Sequence, residues 1–221
     1  MEKALAFLRE LEENNNREWY HDNKAFMQEA TEDFVKLMSS LMAIIAEFDA
    51  KILEIEPKNL MFRLAKDMRF SKDKTPFNPS FRAVLSSGGK RSIPAAYYLA
   101  FQPGNRTYLG AGFHETNNKE AITLIRDHIV SHGDQFQKII TQPDFAKHLK
   151  VEGEALKNVP KGYDANHLQG EYLKNKSWYV FYPFSDEDLL DEKNFNQKAR
   201  DAIYLMKPFD DFLNEAMKSI L

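Results

Sequence analysis

The sequence has 221 residues and no cysteine, which excludes disulfides, thiol nucleophiles, iron–sulfur clusters and cysteine-ligated zinc. Its formal net charge is −3, and its apolar runs are far shorter than the roughly 20 residues that a membrane-spanning helix needs. Glu2 and Glu10 flank only a short apolar stretch, so we identify no signal peptide. We therefore expect a soluble, cytoplasmic protein with no membrane association.

Charge is distributed unevenly along the chain. Residues 1–57 contain six Lys or Arg and thirteen Asp or Glu, whereas residues 58–91 contain nine Lys or Arg and two Asp or Glu. A protein that coats nucleic acid is usually basic throughout. One basic segment in an acidic chain favours a local anion site over a long phosphate track, while leaving a nucleic-acid partner open.

The N-terminal part of the chain has apolar residues at helical spacing. Residues 4–11 predict a first helix that stops near the asparagines at 14–16, because Asn tolerates the left-handed cap. A second stripe predicts a long helix that begins near residue 22 or 23 and carries the apolar positions of residues 26–48.

The apolar period changes to two after Pro57. Residues 60–70 alternate between apolar side chains and polar ones, which predicts a strand with one charged face. The same alternation predicts further strands at 81–86, 96–102, 107–113 and 178–184, with turns at 88–89 and 103–105. Consecutive strands joined by short turns favour an antiparallel sheet.

Helical patterns return after the strands. They cover residues 118–131, 136–140 and 143–149, and then extend from about residue 186 to the end with a break at Pro208. Helices, then clustered strands, then helices predict an α+β fold. We expect a single domain over residues 1–221, in which a mostly antiparallel sheet packs against N- and C-terminal helices.

The segment RFSKDKTPFNPSF, residues 69–81, is the first candidate site because its cations outnumber its acids. Arg offers a planar fork to a carboxylate or phosphate, and Lys adds a point charge. The predicted ligand-binding residues of this region are Arg63, Asp67, Arg69, Lys72 and Lys74. The alternative is a solvated turn in which Asp67 and Asp73 pair with neighbouring cations.

The segment NNNREWYHDNK, residues 14–24, is the second candidate, because an exposed aromatic pair in an interhelix link would be unusual. Either Trp19 packs the link onto the core, or Asn15, Arg17 and Trp19 form one wall of a ligand pocket. We also expect either Trp19 or Tyr97 to stack on the ligand.

The segment YLGAGFHE, residues 108–115, is the third candidate. Gly110 and Gly112 remove side chains from one face of a predicted strand and let another group approach the backbone. His114 and Glu115 at the strand end have the chemistry of an acid/base pair. The alternative is that His114 is a structural or surface residue.

Metal and cofactor signals are weak. His128 and His132 stand four residues apart on a predicted helix, but the HExxH pattern is absent. The sequence contains no phosphate-binding P-loop, dinucleotide fingerprint or nucleophile elbow, so we expect neither a metal nor a cofactor. The Pro/Gly loop LKNVPKGYD, residues 156–164, carries Lys157 and Lys161 and can lend charge to a site.

These stretches resemble the motifs of a widespread microbial family of conserved hypothetical proteins, a domain of unknown function. The family motifs NNxREW(F/Y)xxxK, RxxRDxRFSKDKTPY, GxG and LKxxPKGF are similar to residues 14–24, 63–77, 110–112 and 156–163. This chain has Phe77 where the family pattern has tyrosine. The resemblance implies no established activity, cofactor or catalytic residue.

Our principal hypothesis is a protein that binds a small anionic ligand in a basic, aromatic-lined pocket. One alternative is an enzyme that uses Asp73 or His114 for acid/base chemistry on such a substrate. Another is a module whose basic loop docks an acidic partner or nucleic acid. Oligomeric state is not predicted by any of these patterns.

Overall fold

The structure is a computed structural model that describes residues 1–67, 69, 74–91 and 93–221. Its α-helices are α1 (Glu2–Glu13), α2 (Arg17–Asp22), α3 (Lys24–Ile45), α4 (Pro57–Leu60), α5 (Lys119–Ser131), α6 (Gly133–Ile140), α7 (Pro143–His148), α8 (Gly170–Leu173), α9 (Asp186–Leu190) and α10 (Glu192–Ala216). Short 3-10 helices lie at Ala50–Glu54 and Lys218–Ile220. The strands are β1 (Phe81–Leu85), β2 (Ala96–Phe101), β3 (Thr107–Phe113) and β4 (Trp178–Phe184).

The strands of the described residues form one antiparallel sheet in the order β1-β2-β3-β4. Their bounds agree closely with those that the two-residue alternation predicts, and burial alternates along β1 as expected. Gly104 and Asn105 adopt positive φ in the turn between β2 and β3. The α+β prediction is confirmed.

The chain divides into two compact units. The first comprises Met1–Gly89, Tyr98–Leu109 and Pro183–Asp201, and the second comprises Lys90–Tyr97, Gly110–Tyr182 and Ala202–Leu221. The expectation of a single domain over the whole chain stays a prediction. Among the described residues, none of the helices has the length and apolar character to cross a membrane.

The core of the first unit is built around phenylalanine rings. Phe34 of α3 stacks on Phe81 of β1 with ring centroids 5.1 Å apart, and Phe7 of α1 stacks on Phe81 at 6.2 Å. Phe101 of β2 lies 5.8 Å from Phe34. All four side chains are at most 1% exposed, so each contributes roughly 1.5–3 kcal/mol through burial. The N-terminal helices therefore pack onto β1 and β2 through a continuous aromatic cluster.

The core of the second unit is also aromatic. Phe136 of α6 lies 5.3 Å from Phe212 and 6.4 Å from Phe209, both in α10. Trp178 of β4 is fully buried, and its indole N–H donates to the carbonyl of Tyr172 at 3.0 Å. This bond satisfies the polar atom that the large ring carries into the core.

The prediction of a regular strand over residues 60–70 is wrong for the described part of this range, residues 60–67. Helix α4 occupies the start of this range, and beyond it Met61 and Ala65 form isolated antiparallel bridges to Ala83 and Phe77. The facing segment contains two prolines, which lack the N–H groups that a continuous ladder requires. Within residues 61–67 the backbone therefore pairs with its neighbour at separate points and not as a continuous strand.

The predicted helix break at Pro208 is also wrong. Helix α10 contains Pro208 in its interior and continues to Ala216. Phe209, Phe212 and Leu213 on the following turn are at most 2% exposed. Burial of this apolar face stabilises the helix enough to offset the hydrogen bond that proline cannot donate.

Gly112 provides a test of backbone strain in β3. Its φ is +133°, and a Cβ atom at this position would lie 2.2 Å from the carbonyl oxygen of Trp178. We expect Gly112→Ala to lower the free energy of unfolding by roughly 3–5 kcal/mol in urea titrations. The control Gly89→Ala has φ +72° and open space around the new methyl group, so it should cost only about 1 kcal/mol. Equal losses in the two variants would contradict this account.

Asp210 of α10 is a buried carboxylic acid with an incomplete set of partners. Asn214 Nδ2 donates to its Oδ2 at 3.1 Å, and the Gly112 N–H also donates to it. Its Oδ1 has no hydrogen-bond partner among the described residues. Burial raises the pKa of Asp210 to about 7; the nearby charge of Asp211 adds to this, and Lys207 opposes it.

The raised pKa of Asp210 predicts a loss of stability on going from acid to neutral pH. Because the folded-state pKa lies above the ordinary value of 3.8, the stabilisation is fully present below about pH 4 and is lost as the pH rises through 7. We expect Asp210→Asn to remove this loss, which amounts to roughly 2–4 kcal/mol in urea unfolding at a series of pH values. Asn194→Ala, at an exposed and non-titrating position of the same helix, should leave the pH dependence unchanged. Identical pH profiles for wild type and Asp210→Asn would refute the assignment.

Candidate functional site

The basic part of the chain forms two paired arms, residues 61–67 and 74–83, which we call the basic segment. Three backbone hydrogen bonds join the arms: Phe62 N–H to Arg82 O at 2.8 Å, Asn78 N–H to Leu64 O at 2.7 Å, and Lys66 N–H to Pro76 O at 2.9 Å. Lys66 Nζ also donates to Thr75 Oγ1 at 2.7 Å. These bonds hold cationic residues from both arms in one compact element.

Asn15 forms two hydrogen bonds with the backbone of the basic segment. Its Nδ2 donates to the carbonyl of Phe77 at 3.0 Å, and its Oδ1 accepts from the N–H of Phe77 at 3.0 Å. Tyr20 stacks on the Phe77 ring with centroids 4.0 Å apart. Residues 14–24 therefore contact both parts of Phe77: Asn15 forms hydrogen bonds with its backbone, and Tyr20 stacks on its ring.

The predicted interhelix link around Trp19 is helix α2. Asn16 caps it by accepting a hydrogen bond from the N–H of Trp19 at 2.9 Å. The Trp19 ring is half-buried with its centroid 5.9 Å from that of Phe7, whereas Arg17 is exposed. Packing of Trp19 onto the core is thus observed, while a pocket wall formed by Asn15, Arg17 and Trp19 stays a prediction.

Arg69 and Asp67 form an exposed ion pair. Arg69 Nε lies 2.9 and 3.1 Å from the two carboxylate oxygens, and their side chains are 77% and 58% exposed. The hydrogen bonds from Arg69 hold the pKa of Asp67 below its usual range. This is the pairing that the solvated-turn alternative requires of Asp67.

The other predicted cations are only partly placed. Arg63 and Lys74 are exposed, and the backbone carbonyl of Arg63 accepts from Arg82 Nη2 at 3.5 Å. Lys72 and Asp73 lie outside the described residues. Convergence of Arg63, Arg69, Lys72 and Lys74 on one ligand stays a prediction.

Arg82 is a cationic residue that the sequence did not single out. It lies in β1 between the buried side chains of Phe81 and Ala83, so its own side chain is on the opposite face of the sheet. Its guanidinium lies 5.8 Å from the ring centroid of Phe62. Its Nε is buried and has no hydrogen-bond partner among the described residues. The signal in the sequence that identifies Arg82 is the alternation of apolar and polar residues along β1 within the basic segment.

Phe62, which lies beside Arg82, is the first of three neighbouring aromatic rings that we call the aromatic face: Phe62, Tyr98 and Tyr108. Successive ring centroids along this set are 6.2 Å apart in both cases. Burial raises the pKa of Tyr98, and the adjacent guanidinium of Arg82 opposes this effect. The first unit therefore combines a cation with an unused buried donor and a set of partly exposed aromatic rings.

Tyr97 does not belong to this face. It is 4% exposed and lies in the second unit, where its hydroxyl donates to the carbonyl of Ile203 at 3.2 Å. Burial raises the pKa of this hydroxyl far above its usual range. The expectation that Tyr97 stacks on a ligand is corrected, because its ring is enclosed by the core; the alternation along β2 makes its neighbour Tyr98 the accessible ring.

His114 lies in the second unit, and one face of its ring stacks on Tyr179. The centroids are 4.2 Å apart with an interplanar angle of 7°, and Phe181 lies 6.1 Å away. The covering of the imidazole lowers the pKa of His114 below 6.5. This packing matches the structural alternative for His114, and an acid/base role with Glu115 stays a prediction.

The glycines of β3 accommodate close neighbours. A Cβ atom on Gly110 would lie 2.9 Å from the ring of Phe181, so this glycine makes room for an aromatic side chain of β4. His128 and His132 have ring centroids 4.2 Å apart on α5. In the part of the chain that the structure describes, no group of three or more His, Asp or Glu side chains is arranged to hold a metal ion.

The two hydrogen bonds between Asn15 and Phe77 predict a measurable coupling between the N-terminal motif and the basic segment. We expect Asn15→Ala to lower the free energy of unfolding by roughly 2 kcal/mol, because the N–H and the carbonyl of Phe77 would both lose their hydrogen-bond partners. Asn15→Asp keeps the acceptor but loses the donor, so it should fall between wild type and Asn15→Ala. Asn14→Ala, which removes only a bond to the carbonyl of Glu10, is the control. Equal stability of Asn15→Ala and Asn14→Ala in urea would contradict the coupling.

Comparison with known proteins places the chain in a family without assigning a function. A family model described as conserved hypothetical protein (DUF2461) matches residues 3–212. No curated protein and no solved structure matches the chain. Because the family match covers nearly the whole sequence, the resemblance inferred from the motifs is confirmed, and the chain belongs to the DUF2461 family of conserved hypothetical proteins.

Proposed function

We propose that the protein binds a small anionic ligand, bearing a phosphate or a carboxylate, on the face of the first unit that carries Arg82. The observation that supports this most directly is the buried Nε–H of Arg82, which has no acceptor among the described residues. A donor without a partner costs free energy when it is removed from water. An anionic oxygen is the acceptor that compensates this cost best, since hydrogen bonds between ions are about twice as strong as neutral ones.

Uncompensated charge supports the same proposal. Among the described residues, neither Arg63 nor Arg82 forms an ion pair with an acidic side chain. Asp67, the acid nearest to Arg63 in sequence, is engaged by Arg69. The local positive potential is therefore not neutralised within the described part of the basic segment, and an anion from solution lowers the electrostatic energy there.

The aromatic face suggests what the ligand carries besides its anionic group. Phe62 is 37% exposed, and the rings of Tyr98 and Tyr108 are partly exposed beside it. Stacking of a planar ring on such side chains is worth about 1–3 kcal/mol per base in nucleic-acid complexes. The site favours a ligand that joins a planar ring to a phosphate or carboxylate, such as a nucleotide, over a bare sugar phosphate.

The two other interpretations are supported less well. The enzyme hypothesis needs Asp73, which lies outside the described residues, or His114, which lies in the second unit against Tyr179. Docking of a nucleic acid would neutralise several phosphates, so its affinity would fall steeply with salt. A small ligand held by one or two cations should show a shallow salt dependence, and this difference separates the two.

Arg82→Gln tests the proposed site. We expect it to weaken binding of adenosine monophosphate by about ten- to a hundredfold, equivalent to the roughly 1.5–3 kcal/mol of a charge-assisted hydrogen bond. Binding is measured by calorimetry and by the ligand-dependent rise of the thermal midpoint. Lys51→Gln removes an exposed cation of the same unit and should have no effect.

A second variant tests the contribution of the ligand's planar ring separately from that of its anionic group. Tyr98→Leu should weaken adenosine monophosphate more than ribose 5-phosphate, because only the nucleotide loses a stacking partner. If wild type and Arg82→Gln bind nucleotides, ribose 5-phosphate and carboxylates with the same affinities, the proposed function is wrong.

A further inference from the structure

Arg126 of α5 is a buried cation that the proposed function does not use. Its side chain is 8% exposed, and its Nη2 donates to the carbonyl of Asn175 at 2.7 Å. Its Nε is buried and has no hydrogen-bond partner among the described residues. A guanidinium has five N–H donors, so one bond to a backbone carbonyl leaves most of its donor capacity unused.

Arg126 also lacks a counter-charge in the part of the chain that the structure describes. Within the described ranges, none of the acidic side chains forms an ion pair with it. The neighbouring carboxylate of Asp127 instead accepts a hydrogen bond from the hydroxyl of Tyr163 at 2.8 Å. Burial lowers the pKa of Arg126, as expected for a charge withdrawn from water without a partner. A buried arginine of this kind is costly unless an anion pairs with it.

The Pro/Gly loop at residues 156–163 is attached to α5 at its end and carries two lysines. Tyr163, at the end of the loop, is anchored to Asp127 and interacts electrostatically with Arg126. The turn before it is closed by the bond from Tyr163 N–H to the carbonyl of Pro160 at 3.2 Å. Lys157 and Lys161 on the loop are exposed, and neither has an ion-pair partner among the described residues.

We propose that Arg126, together with Lys157 and Lys161, forms a second anion site that takes a compact phosphate or carboxylate group. Arg126 supplies the directed donor, since the Nε edge of a guanidinium matches the oxygens of either group. The two lysines supply charge that attracts the ion to the loop. This site lies entirely in the second unit and does not depend on the site proposed at Arg82.

The buried Nε–H of Arg126 gives a direct readout. In protein labelled with nitrogen-15, its signal is assigned by its disappearance in Arg126→Lys, which retains the charge without the fork. Inorganic phosphate and acetate are titrated separately, so that the two arms distinguish a phosphate site from a carboxylate site. We expect one of them to shift the Nε–H signal in a saturable manner, in wild type and equally in Arg82→Gln.

Two further variants test the loop. Lys157→Gln/Lys161→Gln should weaken the same titration at least fivefold, whereas the matched pair Lys147→Gln/Lys150→Gln, which removes two exposed lysines of the same unit, should change it less than twofold. Arg126→Lys should lose at least tenfold in affinity, measured through the backbone amide signals of the loop. If Arg126→Lys does not fold, the titration is followed through the backbone amide signals of the loop in wild type and in the two lysine-pair variants, and these decide the question.

Three outcomes overturn this proposal. The first is that neither phosphate nor acetate moves the Arg126 Nε–H signal in the wild-type protein. The second is that the two lysine pairs weaken the titration equally, which shows only a general charge effect. The third is that Arg126→Lys folds and binds as wild type does.

Discussion

The burial of Phe81 between the rings of Phe34 and Phe7 is the contact on which the geometry of the first unit depends. Side chains of a strand alternate between its two faces, so burial of this ring places Arg82 on the other face of β1. A slip of one residue would bury the guanidinium in a phenylalanine core and expose the ring. Such an exchange is costly for both residues. The unpaired guanidinium of Arg82 would lose its hydration, and the apolar ring of Phe81 would be exposed to water. The register of β1, and with it the position of a cation beside the aromatic face, is therefore set by hydrophobic packing.

A second constraint joins parts of the chain that are far apart in sequence. The amide of Asn15 satisfies both backbone groups of Phe77, which lies between two prolines in an arm that pairs only intermittently. Backbone groups in such an arm need side-chain partners, because a regular ladder is absent. Stacking of Tyr20 on Phe77 reinforces the same contact. Asn15 and Tyr20 of the N-terminal motif thus stabilise the basic segment. Their presence in the sequence therefore has a structural explanation that does not require contact with a ligand.

The regular elements are the part of the fold that local patterns predict well. Strands β1 to β4 and the long helices follow from periods of two and 3.6 residues, because each element buries one face and exposes the other. The wrong predictions concern segments where a local sequence pattern and tertiary packing favour different structures. At Pro208 a helix continues because its next turn is buried. Over the described residues 61–67 the alternation is present, but the pairing consists of isolated bridges. Local periodicity reports which face is apolar, whereas pairing and continuity depend on distant residues.

The sequence by itself determined the family, the fold class, the strand positions and the presence of one basic segment in an acidic chain. Each of these follows from composition, order or short-range spacing. Only the tertiary structure decided which side chains share a surface: it buried Tyr97, paired Arg69 with Asp67, and brought Arg82 beside the aromatic face. It also buried Arg126 with an Nε–H that has no hydrogen-bond partner among the described residues. The physical reason is that burial and pairing of a charge are set by contacts between residues remote in sequence, which no local period encodes.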